Sequence, residues 1–142
     1  MLHQIEKILR PDPRMTKFAD PVFRLLTSLI FIIGGLGHFF QSQVMLDRMA
    51  ESPWAGTISK IGDPMLMLQL SGFVFVAAGI TLALGWMTRL SALALFLTLI
   101  PVTVTIHFAP GHVGPLFKNV AILGALFYLY CKGPGHYALG PR

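Results

Sequence analysis

The sequence is poor in charge and poorer still in cysteine. Only 12% of its 142 residues are charged, whereas soluble domains carry about 25%. Cys131 is the only cysteine, which excludes an intrachain disulfide and a redox pair of two cysteines. The low charge therefore indicates burial in lipid, and the single thiol excludes a dithiol mechanism carried by this chain alone.

Other features associated with catalysis or nucleic-acid binding are also missing. No acidic residue occurs in residues 22–40 or 65–131, and there is no paired-carboxylate, Ser-His-Asp or phosphate-loop pattern. The net charge of +5 comes from basic residues between apolar runs rather than from a basic stripe with interleaved aromatics. We therefore expect no nucleic-acid partner, and a stand-alone enzyme is the least favoured class.

Long apolar runs dominate what remains. A spanning helix needs about 20 mostly apolar residues, and inside lipid its backbone groups must be paired within the segment. The four runs that meet this requirement are Val22–Phe40, Met65–Trp86, Leu90–Phe108 and Pro115–Cys131. The sequence thus predicts an all-α fold, a four-helix transmembrane bundle in the lipid bilayer with helices at about 22–40, 65–86, 90–108 and 115–131.

The segments outside the bundle divide into three. Residues 1–21 are predicted to form a short amphipathic N-terminal segment on the bilayer surface, because apolar residues recur on one helical face beside basic ones. The long loop Gln41–Pro64 has Val44, Met45 and Met49 at helical spacing, which indicates a short amphipathic helix. Residues 132–142 follow as a tail, which begins where Gly133-Pro134-Gly135 ends the last helix.

The basic residues also predict an orientation. Eight of the eleven Lys and Arg residues lie in the N-terminal segment up to Arg24, at Arg89 and in the tail from Lys132 onward. Loops rich in Lys and Arg stay in the cytoplasm. We therefore expect both termini in the cytoplasm and the long loop outside.

Four polar side chains lie at one level of the predicted bundle, near its outer face. They are His38, Gln69, His107 and Asn119, one from each spanning helix. Polar residues in a membrane usually face the bundle interior and mark functional sites, although amides and interfacial histidines also serve only to join helices. The functional interpretation is a small-molecule or quinone-head site. Lys118, next to Asn119, is either a snorkelling lysine or a contact for an anion or a lipid headgroup.

A metal site is the alternative interpretation of the same layer. Imidazole and thioether ligands suit copper, particularly Cu(I). The donors that could form such a site are His38, His107, His112, Met45 and Met49. The methionines are equally consistent with flexible apolar packing.

Several short motifs resemble those of the DoxX family. They are Gly35-Leu36-Gly37-His38, the Leu84–Arg89 turn, Phe117-Lys118-Asn119 and Gly133-Pro134-Gly135. The likeness covers roughly residues 22–139. It implies a four-helix protein of the bacterial inner membrane, of a family named after a subunit of a quinol oxidase complex, with some members accessory to membrane redox complexes.

The resemblance also marks one departure. Many family members carry a glutamate in the second helix, at the position that is Phe75 here, so chemistry that depends on that carboxylate is not expected. The function predicted from sequence is an accessory subunit of a membrane redox complex linked to quinone, with other membrane protein subunits as partners. The alternative is a small-ligand or copper-binding membrane protein that uses the layer of His and Met residues.

Overall fold

The computed structural model describes residues 2–108 and 113–141, and this part of the chain is helical with irregular connections. Four long apolar helices could each cross a membrane, which confirms the predicted all-α fold. The helices are α1 (Leu2–Ile8), α2 (Pro13–Phe40), α3 (Ser42–Glu51), α4 (Ala55–Ile61), α5 (Pro64–Leu84), α6 (Thr88–His107) and α7 (Val113–Lys132).

Aspartate caps followed by proline set the beginnings of α2 and α5. Asp12 accepts a hydrogen bond from the backbone N–H of Arg14, and Pro13 occupies the first turn. In the same way, Asp63 accepts a hydrogen bond from the backbone N–H of Met65, and Pro64 is the first residue of α5. Proline suits the first helical turn because its missing N–H has no partner there. The first spanning helix consequently begins well before Val22, the predicted start.

A left-handed glycine ends α5. Gly85 has φ 68°, a conformation that glycine adopts without steric cost. Its N–H donates to the carbonyl of Leu82, and the N–H of Trp86 donates to that of Thr81. These two hydrogen bonds cap the carboxyl end of the helix. Helix α5 therefore ends at Leu84 and α6 begins at Thr88, each about two residues from its predicted bound.

Small residues allow α2 and α5 to pack closely. A Cβ added at Gly35 would come within 2.8 Å of the Gly72 carbonyl oxygen, and one at Gly79 within 2.9 Å of Ile32. Such glycines let helix backbones approach each other closely. Close packing drives helix association in lipid, because the hydrophobic effect does not act between apolar side chains that are already surrounded by lipid tails. Helix α2 packs chiefly on α5, α5 on α6, and α6 on α7, whereas α2 and α7 touch only lightly.

The two ends of the bundle are covered by different segments. At the end where α2 stops and α5 begins, called here the loop end, helices α3 and α4 pack over α5 and α6 through Met49, Ile58, Leu68 and Ile106. This arrangement confirms a helix in the long loop and adds a second one. Helix α1 has no buried residue.

At the opposite end, called the tail end, the residues after α7 fold back onto the bundle. Arg24, only 1% exposed, donates hydrogen bonds to the carbonyls of Pro134, His136 and Tyr137. The backbone N–H groups of Leu139 and Gly140 donate to the carbonyls of Leu84 and Gly85 at 3.1 Å. The tail is therefore bound to the helix ends rather than simply following the last helix.

Candidate functional site

A cavity of about 230 Å³ lies inside the bundle at the loop end. Helices α2, α3, α5, α6 and α7 all contribute to its wall, and Gly34 of α2 leaves space beside it, since a Cβ there would meet no atom within 4 Å. Its polar lining residues are His38, Arg48, His107, Lys118 and Asn119, and its apolar ones include Phe31, Phe75, Leu99, Val102 and Ile122. The cavity thus joins a polar end to an apolar floor.

His38 is fixed by the beginning of α5. Its side chain is 3% exposed, and its Nδ1 lies 3.1 Å from the carbonyl oxygen of Leu68 and 2.9 Å from the hydroxyl of Ser71. A carbonyl oxygen can only accept, so Nδ1 carries the proton and donates to Leu68. Nε2 then has no hydrogen-bond partner among the described residues and remains an acceptor in the neutral ring.

Asn119 is held by α6. It is 4% exposed, and its Nδ2 donates to Thr103 Oγ1 at 2.9 Å. The Thr103 hydroxyl in turn donates to the carbonyl of Leu99 at 2.6 Å. The amide oxygen of Asn119 makes no hydrogen bond with a described residue, so this side chain also offers the cavity an acceptor at a fixed position.

Two cationic side chains line the same cavity. Arg48 comes from α3 and is half-buried, while Lys118 comes from α7 and is exposed. Neither forms an ion pair within residues 2–108 and 113–141. Asp47, the acidic neighbour of Arg48, instead accepts a hydrogen bond from Gln43 at 3.0 Å.

Arg48 is a site residue that was not predicted from the sequence, because an arginine in a polar loop usually belongs to a solvated face. Arg48 lies three residues after Met45, and both line the cavity. Residues three apart share a helix face. The spacing of three residues from Met45, itself a candidate ligand, could therefore have indicated that Arg48 belongs to the site.

Gln69 does not join the layer. It is exposed on the outside of the bundle, so it does not share the interior position of the other three polar residues. Leu68, Gly72 and Phe75 occupy the buried face of α5 at helical spacing, and Gln69 follows Leu68 by one residue, about 100° around the helix. His38, His107 and Asn119 do line one cavity, as does Lys118.

The metal donors predicted from sequence are only partly together. Met45 lines the cavity with His38 and His107, but Met49 packs with Ile58, Leu68 and Ile106 in a separate apolar cluster. His112 lies outside the described residues. Within the described ranges, no group of three His, Cys, Asp or Glu side chains is placed to hold a metal.

The cavity floor is aromatic where the resemblance leads one to expect a carboxylate. Phe75 is 4% exposed, packs edge-to-face on Phe31 with ring centroids 5.1 Å apart and lies 5.3 Å from the His38 ring. The ring therefore covers the inner side of the histidine with apolar surface.

The family model described as DoxX matches residues 19–108, which is more than half of the chain and extends from within α2 to the end of α6. The chain belongs to the DoxX family. The DoxX match ends before α7, so Lys118, Asn119 and the Gly133-Pro134-Gly135 motif lie outside it. No curated protein and no solved structure matches the chain.

Proposed function

We propose that this DoxX protein is an accessory subunit of a quinone-linked redox complex in the bacterial inner membrane, and that its cavity holds a quinone head group. The observation that carries the proposal is the pairing of two fixed acceptors, His38 Nε2 and Asn119 Oδ1, with an apolar floor. Quinol hydroxyl groups would donate to these atoms, and a protonated His38 would donate to a quinone carbonyl.

The size and position of the cavity support a head-group site. At about 230 Å³ it is smaller than most ligand sites, which span roughly 300–1,000 Å³. It can therefore enclose a ring but not a whole amphiphile. The light contact between α2 and α7, beside the open space at Gly34, provides the route by which an isoprenoid tail would reach the lipid.

The chain is proposed to supply binding and proton exchange rather than electron transfer. Cys131 is its only cysteine and it is exposed, and the cavity holds no thiol. The electron carrier would then belong to another subunit, which would cover part of the exposed apolar surface. With the loop end outside and both termini in the cytoplasm, the quinone head would sit in the outer leaflet.

Purification from native membranes tests this proposal. In mild detergent, the tagged chain should co-purify with a redox subunit and with bound quinone, detected by mass spectrometry and solvent extraction. His38→Phe should lose the quinone, whereas Gln69→Leu, which removes a polar side chain outside the cavity, should retain it. A chain that purifies alone and without quinone contradicts the proposal.

Copper binding is the second candidate function. Met45, His38 and His107 line one cavity and offer one thioether and two imidazoles, which suit Cu(I). Metal analysis of the same purified sample separates the two candidates. Bound copper that is lost in Met45→Leu supports the copper site. A content below about one-tenth of a mole of copper per mole of protein contradicts it.

A further inference from the structure

The cavity changes polarity along the membrane normal. On α2, His38 lies at the loop end and Phe31 lies seven residues deeper, about 10 Å along the helix. On α7, Lys118 and Asn119 lie at the loop end and Ile122 lies one turn deeper. A bound ring would therefore have one edge among polar groups at the membrane surface and its other edge among aliphatic and aromatic side chains.

The polar end carries positive charge without a balancing carboxylate. Four of the five helices in its wall contribute a basic or titratable side chain: α2 presents His38, α3 presents Arg48, α6 presents His107 and α7 presents Lys118, whereas α5 presents only the Phe75 ring. The sequence has no Asp or Glu after Asp63, so neither α6, α7 nor their connection can supply one. Two permanent cations and two histidines thus surround a small volume.

We propose that this cavity selects a ring ligand with an ionised oxygen, such as a hydroxyquinone or another acidic phenol-like amphiphile, and binds it as the anion. The inference rests on the proposed quinone site and names the class of ligand that the site prefers. An opposite charge within about 4–6 Å favours the charged form of an acid. The apolar floor strengthens that attraction because it keeps water from the ring.

The alternative role of the two cations is simple hydration at the membrane surface. A lysine that only snorkels gives no reason for an arginine from a different helix to line the same cavity. Arg48 is half-buried beside the buried His38, and it has no ion-pair partner among the described residues. An anionic ligand would supply the missing partner for both cations.

An acidic naphthoquinone tests this inference directly. 2-Hydroxy-3-undecyl-1,4-naphthoquinone changes its visible absorption when it ionises, and its O-methyl ether has the same ring and tail but cannot ionise. The full-length protein in neutral detergent would be titrated with each probe. We expect the pKa of the bound hydroxyl to fall by about one unit or more relative to empty micelles. Above that pKa, the hydroxy compound should bind at least about tenfold more tightly than the ether.

Matched variants locate the effect. Arg48→Gln and Lys118→Gln should each reduce the shift, and Arg48→Lys should retain most of it because the charge remains. Lys60→Gln removes one positive charge from the same end of the molecule without altering the cavity wall, and should leave the shift unchanged. Size-exclusion profiles and helical circular dichroism establish that each variant is folded.

The outcomes separate the two proposals. A hydroxy compound that binds with an unshifted pKa, or no more tightly than its ether, overturns the inference but leaves the quinone site intact. If neither compound binds, both proposals fail. A shift that persists unchanged in both Arg48→Gln and Lys118→Gln also overturns the inference, because the charge would then come from elsewhere.

Discussion

Gly34 and Gly35, adjacent residues of α2, have opposite surroundings. A Cβ at Gly35 would meet the Gly72 carbonyl oxygen and the Phe75 Cβ at 2.8 Å, whereas a Cβ at Gly34 would meet nothing within 4 Å. Gly34 therefore lies beside the cavity, whereas the contact between α2 and α5 requires a glycine at position 35. Their neighbouring positions allow packing and cavity to be tested separately.

Substitution of the two glycines by alanine should give different results. Gly35→Ala forces α2 and α5 apart and should cost about 1–3 kcal/mol of stability, as other overpacked sites do. Gly34→Ala should cost nothing measurable, because its methyl group enters open space. The midpoints of unfolding in mixed detergent micelles measure both effects. Equal losses in the two variants would contradict the described packing.

Individual site residues were predictable where helix direction alone decides their position. The levels of His38, His107 and Asn119 follow from residue counts along alternating helices, and these three line one cavity. The side of the helix on which a residue lies cannot be read from the sequence when the helix is apolar almost all round. For this reason Gln69 was assigned to the wrong side of its helix. Arg48 was missed because the fold of the loop over the bundle is a tertiary property.

Arg24 links two elements that are more than a hundred residues apart. Its guanidinium donates to the His136 and Tyr137 carbonyls at 3.1 and 2.8 Å and also to that of Pro134. Asp20, one turn earlier in α2, contacts Lys132 and accepts from His136. The first half of α2 therefore organises the tail, which in turn covers the turn between α5 and α6.

Loss of Arg24 should release the tail. A hydrogen bond to a charged group contributes about 1.5–3 kcal/mol, so Arg24→Leu should raise local opening of residues 133–141 by about tenfold or more. Chymotrypsin cleavage after Tyr137, followed by mass spectrometry, measures this opening. Arg14→Leu changes an exposed arginine of the same helix and is the control. Cleavage at the same rate in both variants would show that Arg24 does not hold the tail.

At the scale of elements, the apolar runs predicted the four spanning helices well and their ends less well. Length and hydropathy decide which segments cross lipid, so all four were found. The beginning of α2 depends on the Asp12 cap and Pro13 in a region too polar to be assigned to the span. The docking of the tail depends on one buried arginine, which the sequence marks only as one more basic residue near the membrane.

The whole molecule presents a broad lipid-facing surface around a small polar interior. Exposed leucine, isoleucine and phenylalanine side chains cover the outer faces of the spanning helices, as expected for a bundle in a bilayer. Gln69 is a polar residue of a spanning helix that lies on this exposed surface. The DoxX assignment agrees with this architecture over α2 to α6.

The orientation of the molecule can be tested with reporter fusions. Eight of the eleven Lys and Arg residues lie in the sequence up to Arg24, at Arg89 or from Lys132 onward, so a fusion after Tyr137 should be active only in the cytoplasmic reporter. A fusion after Trp54, between α3 and α4, should be active only in the external reporter. The reverse pattern would place the cavity in the cytoplasmic leaflet and contradict the proposed position of the quinone head.

The most direct test of the central claim is photolabelling of the cavity with an azidoquinone in native membranes. The account predicts adducts on peptides that contain His38 of α2 or Asn119 of α7. Gly34→Leu should abolish them, because its side chain grows into the cavity from open space, whereas Gly124→Leu, at an exposed glycine that does not line the cavity, should not. Adducts spread over the exposed faces, and unchanged in Gly34→Leu, would contradict a quinone site inside the bundle.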